Sequence, residues 1–252
     1  MEKQLTWLGH NCWQIRLGNS TLVVDPFLPE SAPVRFDQVE ADYLLVSHGH
    51  ADHCAQAVDI ARRTGATIVA MAEPAGWFNQ KKISRTEPMN IGGTITLKID
   101  SGEAGLCEVY VTMTPALHSS TMPDGSSGGN SCGFLVSIPK APWKRGAIVP
   151  FSQRAADSCN LYFACDTGWF SEMEYIGSLC LELAVLPIGD RYTFGPEMSL
   201  DAIRALRPKR VIPTHYGTWA PIAQDPQLWA EAVKKYTQAE PVILRPGEPF
   251  SW

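Results

Sequence analysis

Nowhere does this chain of 252 residues carry the run of about 20 apolar residues that a membrane-spanning helix requires. Its first stretch, MEKQLTWLGHNCW, also lacks the apolar segment of a secretion signal. Membrane insertion and export are therefore not expected, and the cytoplasm is the expected compartment. Positive charge is scarce: 21 Lys and Arg face 26 Asp and Glu, a formal net charge of −5, so no whole-chain footprint for nucleic acid exists and no nucleic-acid partner is expected. The seven cysteines (Cys12, Cys54, Cys107, Cys132, Cys159, Cys165, Cys180) are odd in number and never spaced C-x-x-C, which argues against a disulfide framework or a zinc ribbon. Most of them read as small buried apolar residues. No serine-nucleophile elbow on a strand-to-helix turn and no phosphate-cradling G-x-x-x-x-G-K loop appear, because GSSGGNS, though glycine-rich, follows no clear strand. Repeats and low-complexity tracts are missing too.

What is present suits one globular domain over 1–252, with 45% hydrophobic and 19% charged residues. LTWLGHNCWQIRLGNSTLVVDPF alternates apolar and polar residues around Gly18-Asn19-Ser20 and predicts antiparallel strands. DYLLVS predicts a short buried strand, and ADHCAQAVDIARRTG a helix that stops at Gly65. Further strands are expected at ATIVAM, NIGGTITLKI, EVYVTMTPAL, LYFACDTG, LAVLPIGD, KRVIPTHYGT and PVILRP, with helices at AEPAGWFNQKK, SEMEYIGSLC, GPEMSLDAIRAL and DPQLWAEAVKKY. Paired strands early and strand–helix alternation late indicate a mixed sandwich with helices outside. HSSTMPDGSSGGNS reads as a mobile loop, and the stretch 139–160 as a surface insertion or an access flap.

Against this background SHGHADHC stands out, since three of the six histidines fall between His48 and His53, on a strand-to-helix loop. Neutral imidazoles and ionised carboxylates are what a borderline metal such as zinc binds, and several must converge to hold it. His48 and His50, two apart at a strand end, can face one ion, while Asp52 and His53 reach a second from the following turn. His118 and His215 also end strands, and His10 lies near the end of the first. Asp166, after the buried run LYFAC, is either a carboxylate bridging two ions or a helix cap.

HGHADH, a single later His, an Asp in a D-T-G turn and a C-terminal His together resemble the metallo-β-lactamase superfamily. LTWLGHNCWQI, VVDPF, PALHSS, DTGWF, LPIGDRYTFGPE and VIPTHYGT are similar to metal-dependent hydrolases related to ascorbate-6-phosphate lactonase. The resemblance implies an αββα sandwich of two mixed β-sheets with helices on the outer faces. It also implies two divalent ions, zinc first with manganese, nickel or iron as others, holding His48, His50 and His118 on one, Asp52, His53 and His215 on the other, and Asp166 between them. Cys165 stands where relatives more often carry glycine, and it reads as packing rather than as a thiolate ligand.

Such a pair of ions would share a hydroxide that attacks an ester, lactone, amide or phosphodiester of a small molecule, with Asp52 orienting it. His10 either touches substrate, donates to a metal-bound group or satisfies the first β-turn. Asp25 either orients a ligand imidazole or forms an Asp-Pro turn, and Asp190 either approaches the site or does not. Trp7, Trp13, Trp169 and Trp219 would wall the pocket or pack loops on the core, and Tyr216 would offer an oxyanion donor unless strand alternation turns it away. Lys144, Arg145 and Arg154 leave room for a phosphorylated substrate, and a homo-oligomer is compatible with all of this. The competing readings are a phosphodiesterase or nuclease of the same superfamily and an iron-binding redox enzyme on the same fold.

Overall fold

A computed structural model describes residues 1–143, 146 and 148–252. The first half of the chain forms β1 (Lys3–Gly9), β2 (Cys12–Leu17), β3 (Ser20–Val24), β4 (Tyr43–Val46), α1 (Ala51–Cys54), α2 (Ala57–Thr64), β5 (Thr67–Met71), α3 (Ala72–Gln80) and β6 (Thr86–Met89). The second forms β7 (Thr94–Asp100), β8 (Leu106–Pro115), β9 (Cys132–Pro139), α4 (Phe151–Ala156), β10 (Ser158–Phe163), α5 (Met173–Gly177), β11 (Leu181–Pro187), α6 (Pro196–Leu206), β12 (Arg210–Thr214), α7 (Pro226–Tyr236), β13 (Glu240–Pro241) and β14 (Pro249–Ser251).

Two sheets of seven strands result, in the orders β14-β1-β2-β3-β4-β5-β6 and β13-β12-β11-β10-β9-β8-β7. Each is antiparallel on one side and parallel on the other, with β3 to β6 and β10 to β13 as the parallel runs. The parallel strands read STLVV, YLLV, TIVAM, LELAVLP and RVIPT, nearly continuous apolar runs, because both of their faces are covered. One cluster fills the space between the sheets (Leu5, Trp13, Ile15, Leu45, Val111, Phe134, Phe163, Val185). A second lies under α5, α6 and α7, and a third under α2 and α3, so the αββα layering is as expected. Among the described residues no helix is long and apolar enough to cross a membrane.

Three local expectations are corrected. The single helix over ADHCAQAVDIARRTG is two, because Gln56 N–H bonds the Pro26 carbonyl and its side-chain Oε1 accepts from Leu28 N–H, which breaks the ladder between α1 and α2. Gly65 still ends it in left-handed backbone. The final strand expected at PVILRP shrinks to β13, and the edge strand β14 forms later, on the other sheet; Pro241 and Pro246 withhold the donors a longer pairing needs. The loop after His118, expected to be mobile, is pinned: Met122 is buried, Thr121 pairs with Ser127, and Trp77 Nε1 donates to Asp124 Oδ2 at 2.6 Å.

The insertion at 139–160 joins β9 to β10 at the end of the sandwich remote from β10's carboxyl terminus, so it is no flap over that edge. Trp143 stacks on Tyr110 there, with ring centroids 3.9 Å apart, and Arg154 lies over Trp143. Arg154 is thereby removed from any site at the other end, while Lys144 and Arg145 lie outside the described residues.

Candidate metal centre

In sheets of this kind ligands meet the carboxyl ends of the parallel strands. Asp25 follows β3, His48 follows β4, Asp166 follows β10, Asp190 follows β11 and His215 follows β12, so one edge of the sandwich collects them all. Five non-glycine residues there have left-handed backbone: His10 (φ 50°), Asp25 (46°), Cys165 (53°), Asp190 (67°) and His215 (53°). Such conformations cost about 1–3 kcal/mol each and persist only where the surroundings over-determine them, which is typical of functional sites.

Two groups of side chains converge. His48 Nε2 and His118 Nε2 lie 3.0 and 3.3 Å from His50 Nδ1. Beside them, ligand atoms of His10, Asp52, His53 and His215 all lie within 4.8 Å of one another. Asp166 touches both sets, its Oδ2 being 3.0 Å from His215 Nε2, 3.3 Å from His53 Nε2 and 3.6 Å from His118 Nε2. It caps nothing, since the next helix begins only at Met173. His10 Nε2, His53 Nε2, His215 Nε2 and Asp166 Oδ1 are buried without a hydrogen-bond partner. Buried polar atoms in folded proteins are nearly always partnered, so four orphans facing one space fit a cation that binds lone pairs and carboxylate.

The rings are aimed by their far nitrogens. Asp25, fully buried, accepts from Asn11 Nδ2 (2.7 Å), Ser47 N–H (2.8 Å) and Ser47 Oγ (2.8 Å), and its Oδ2 lies 2.8 Å from His53 Nδ1. Because the Ser47 hydroxyl proton goes to Asp25, the 2.9 Å contact between Ser47 Oγ and His48 Nδ1 makes that ring nitrogen the donor, and His48 Nε2 presents its lone pair. Gly49 allows the turn between His48 and His50, where a Cβ would come within 2.6 Å of Met122 Sδ.

Electrostatics sharpen the picture. Burial disfavours charge on His48, His50 and His118 and lowers their pKa values, and it pulls His10 down to about 4. His53 moves the other way: burial opposes its charge, but Asp166 and Asp25 outweigh burial and raise it well above the ordinary value. Burial likewise opposes ionisation of Asp166 and Asp52, yet His215 and His53 for the first, and His10 and His53 for the second, hold both carboxyls well below the usual range. In the metal-free protein the carboxyls of Asp52 and Asp166 thus favour their ionised form, and the charge on Asp166 in turn favours a proton on His53.

A cavity of about 270 Å³ opens onto this cluster, lined by His50, Asp52, His118, Ser119, Asp166, Tyr192, His215 and Trp219. Ser119 and Tyr192 were not expected from the sequence, although Ser119 directly follows His118 and Tyr192 lies two residues after Asp190. Other expectations are corrected here. Trp7 and Trp13 stack at 6.0 Å inside the core and do not wall the cavity; their indole N–H groups hold the His10 carbonyl (2.9 Å) and Thr214 Oγ1 (3.0 Å). Tyr216 packs on Trp7 at 5.3 Å, and burial pushes its phenol up to about 12, so it is no oxyanion donor for this cavity. Trp169 is exposed and is not among the lining residues. Asp190 is exposed too and faces a neighbouring groove with Arg191 and Tyr192. His10 is 1% exposed behind Asp52 and His215, so it does not reach substrate through the cavity wall.

The sequence model of a family described as the β-lactamase superfamily domain matches residues 4–215. This chain belongs to the metallo-β-lactamase superfamily. It is similar to a protein named UPF0173 metal-dependent hydrolase of Desulforamulus reducens, 38% identical over 251 residues that cover 97% of this chain and 98% of that one. A namesake in Methanopyrus kandleri is 37% identical over 255 residues, covering 98% and 99%. Among solved structures, Igni18, a metallo hydrolase of the archaeon Ignicoccus hospitalis, matches with a TM-score of 0.80 at 30% identity and covers 100% of this chain and 99% of its own. The chain is a metal-dependent hydrolase of that superfamily. In this hydrolase Cys165 occupies a left-handed position, packs in the core between the sheets and, among the described residues, belongs to none of the converging ligand groups, so it reads as packing.

Proposed function

We propose that the hydrolase holds two divalent ions and cleaves an ester, lactone or amide of a small molecule. The observation that carries this is Asp166 Oδ2, which lies within 3.6 Å of an imidazole of each converging set while Oδ1 stays buried and unpartnered. His48, His50 and His118 would hold one ion, Asp52, His53 and His215 the other, with Asp166 shared. When bound, the ions supply an activated water and an electrophile for the carbonyl oxygen.

The chain's own groups do the rest. Asp52, kept ionised and lining the cavity, accepts a hydrogen bond from the attacking water and aims it at the substrate. Trp219 and Tyr192 give the substrate an apolar and aromatic wall, and among the described residues no lysine or arginine lines the cavity, which favours a neutral carbonyl compound over a phosphodiester. A cavity of about 270 Å³ admits a small molecule rather than a polymer.

The test is a screen of metal-reconstituted protein against lactones, N-acyl amides, esters and phosphodiesters, with His50→Ala beside it. Turnover of a carbonyl substrate that drops at least about a hundredfold in His50→Ala is expected. Equal turnover by the two proteins would remove the assignment.

A further inference from the structure

Of the six histidines, His10 is the one to which the family resemblance allots no ion. We infer that His10 is a further ligand, through Nε2, of the ion held by Asp52, His53 and His215. The inference rests on the two-ion reading above and extends it to a residue from β1's end of the first sheet.

The residue is clamped on every side but one. Its carbonyl accepts from Trp7 Nε1 (2.9 Å), Thr214 Oγ1 (2.8 Å) and His215 N–H (3.1 Å), which ties the β1–β2 turn to the end of β12 and holds its left-handed backbone. Its Nδ1 lies 2.9 Å from Thr218 Oγ1, and the rings of Phe27 and Trp219 stand edge-on at 5.5 and 4.9 Å. The free edge is Nε2, buried and without a hydrogen-bond partner. It lies 3.3 Å from Asp52 Oδ2, beyond the roughly 2.7–2.9 Å of a charge-assisted bond. In the tautomer whose Nδ1–H donates to Thr218 Oγ1, Nε2 presents a lone pair to a carboxylate and two more imidazoles, an arrangement that a cation between them makes favourable.

The two positions are then unequal. His10, Asp52, His53, His215 and Asp166 serve one, while His48, His50, His118 and Asp166 serve the other. The richer position suits ions that take six ligands, such as manganese or iron(II), and the poorer one suits zinc, which is content with fewer.

Cobalt(II) titration of chelator-stripped protein tests this, read by visible absorption, by metal content after dialysis and by the shifted exchangeable imidazole N–H signals in the proton NMR spectrum. Wild-type protein should take up two ions. His10→Ala should keep one binding step unchanged and weaken the other by about tenfold or more, intensify the visible bands of the weakened ion as it loses a ligand, and lose one shifted N–H signal. A folded His10→Ala with both steps and both spectra unchanged overturns the inference, as does equal weakening of the two steps. Should that variant not fold, Thr218→Val carries the test: weakening of one step supports the inference and an unchanged titration overturns it. Wild-type protein that binds a single ion sinks the two-ion reading and this inference with it, whereas two ions in both proteins with identical spectra sink only the role of His10.

Discussion

At one end of the sandwich, where β3, β4, β10, β11 and β12 finish, His10, Asp25, His48, His53, Asp166 and His215 are buried, and several of their polar atoms lack partners. At the other end, where β11 and β12 begin, charges pair in solvent: Lys209 and Arg210 meet Glu182 at 2.7 and 2.8 Å, and Arg210 meets Glu240 at 3.3 Å. At the second end the charged groups are matched by partners that the chain itself supplies, and these exposed pairs contribute about 1 kcal/mol or less each. The first end is complete only with something the chain does not supply. Buried polar atoms without partners are expensive, so an end built of them implies a ligand that satisfies them.

The sharpest way to break this comparison is to remove the carboxylate that organises the buried end. Asp25→Ala leaves Asn11, Ser47 and His53 without their shared acceptor and should lose about 3–5 kcal/mol in urea unfolding. It should also weaken metal uptake by roughly 10–100-fold. A loss below about 1 kcal/mol would mean that the buried end is no more strained than the solvated one.

Acidity separates the ends next. In metal-free protein burial lowers the pKa values of His10, His48, His50 and His118, so the unfolded chain takes up protons more readily and stability falls as pH drops below their ordinary value of 6.5. His53, whose folded pKa is raised, contributes stability that is fully present below 6.5 and is lost as pH rises toward its folded value. The urea midpoint of stripped protein should therefore peak near pH 6.5, and bound metal should flatten the curve. A stripped protein with no maximum between about pH 5 and 8 would contradict this picture of the charges.

The smallest effect belongs to the solvated end. Glu182→Gln should shift stability by less than about 1 kcal/mol, and the shift should shrink further in high salt, with metal uptake untouched. Coupling of that substitution to metal affinity would join two ends that the geometry keeps apart.

Much of the molecule can be read along the chain because its causes are local. Alternation marks β1 and β2, continuous apolar runs mark β3 and the other parallel strands, and His48, His50, Asp52 and His53 converge within one turn, whose shape their own spacing sets. Asp166, His118 and His215 could be named because they end strands, yet their meeting point depends on both sheets bringing the same edge together.

What only the tertiary structure decided is direction. Whether Trp7 faces the cavity or the core, whether Tyr216 reaches the substrate, and at which end the 139–160 insertion lies depend on sheet register and on which sheet faces which, and neither is written in neighbouring residues. His10 is the clearest case, since its partner Thr218 stands 208 residues away. Short-range pattern determines the elements and the heart of the motif; the packing of one sheet on the other determines which polar atoms are left facing inward, because that depends on contacts between residues the chain keeps far apart.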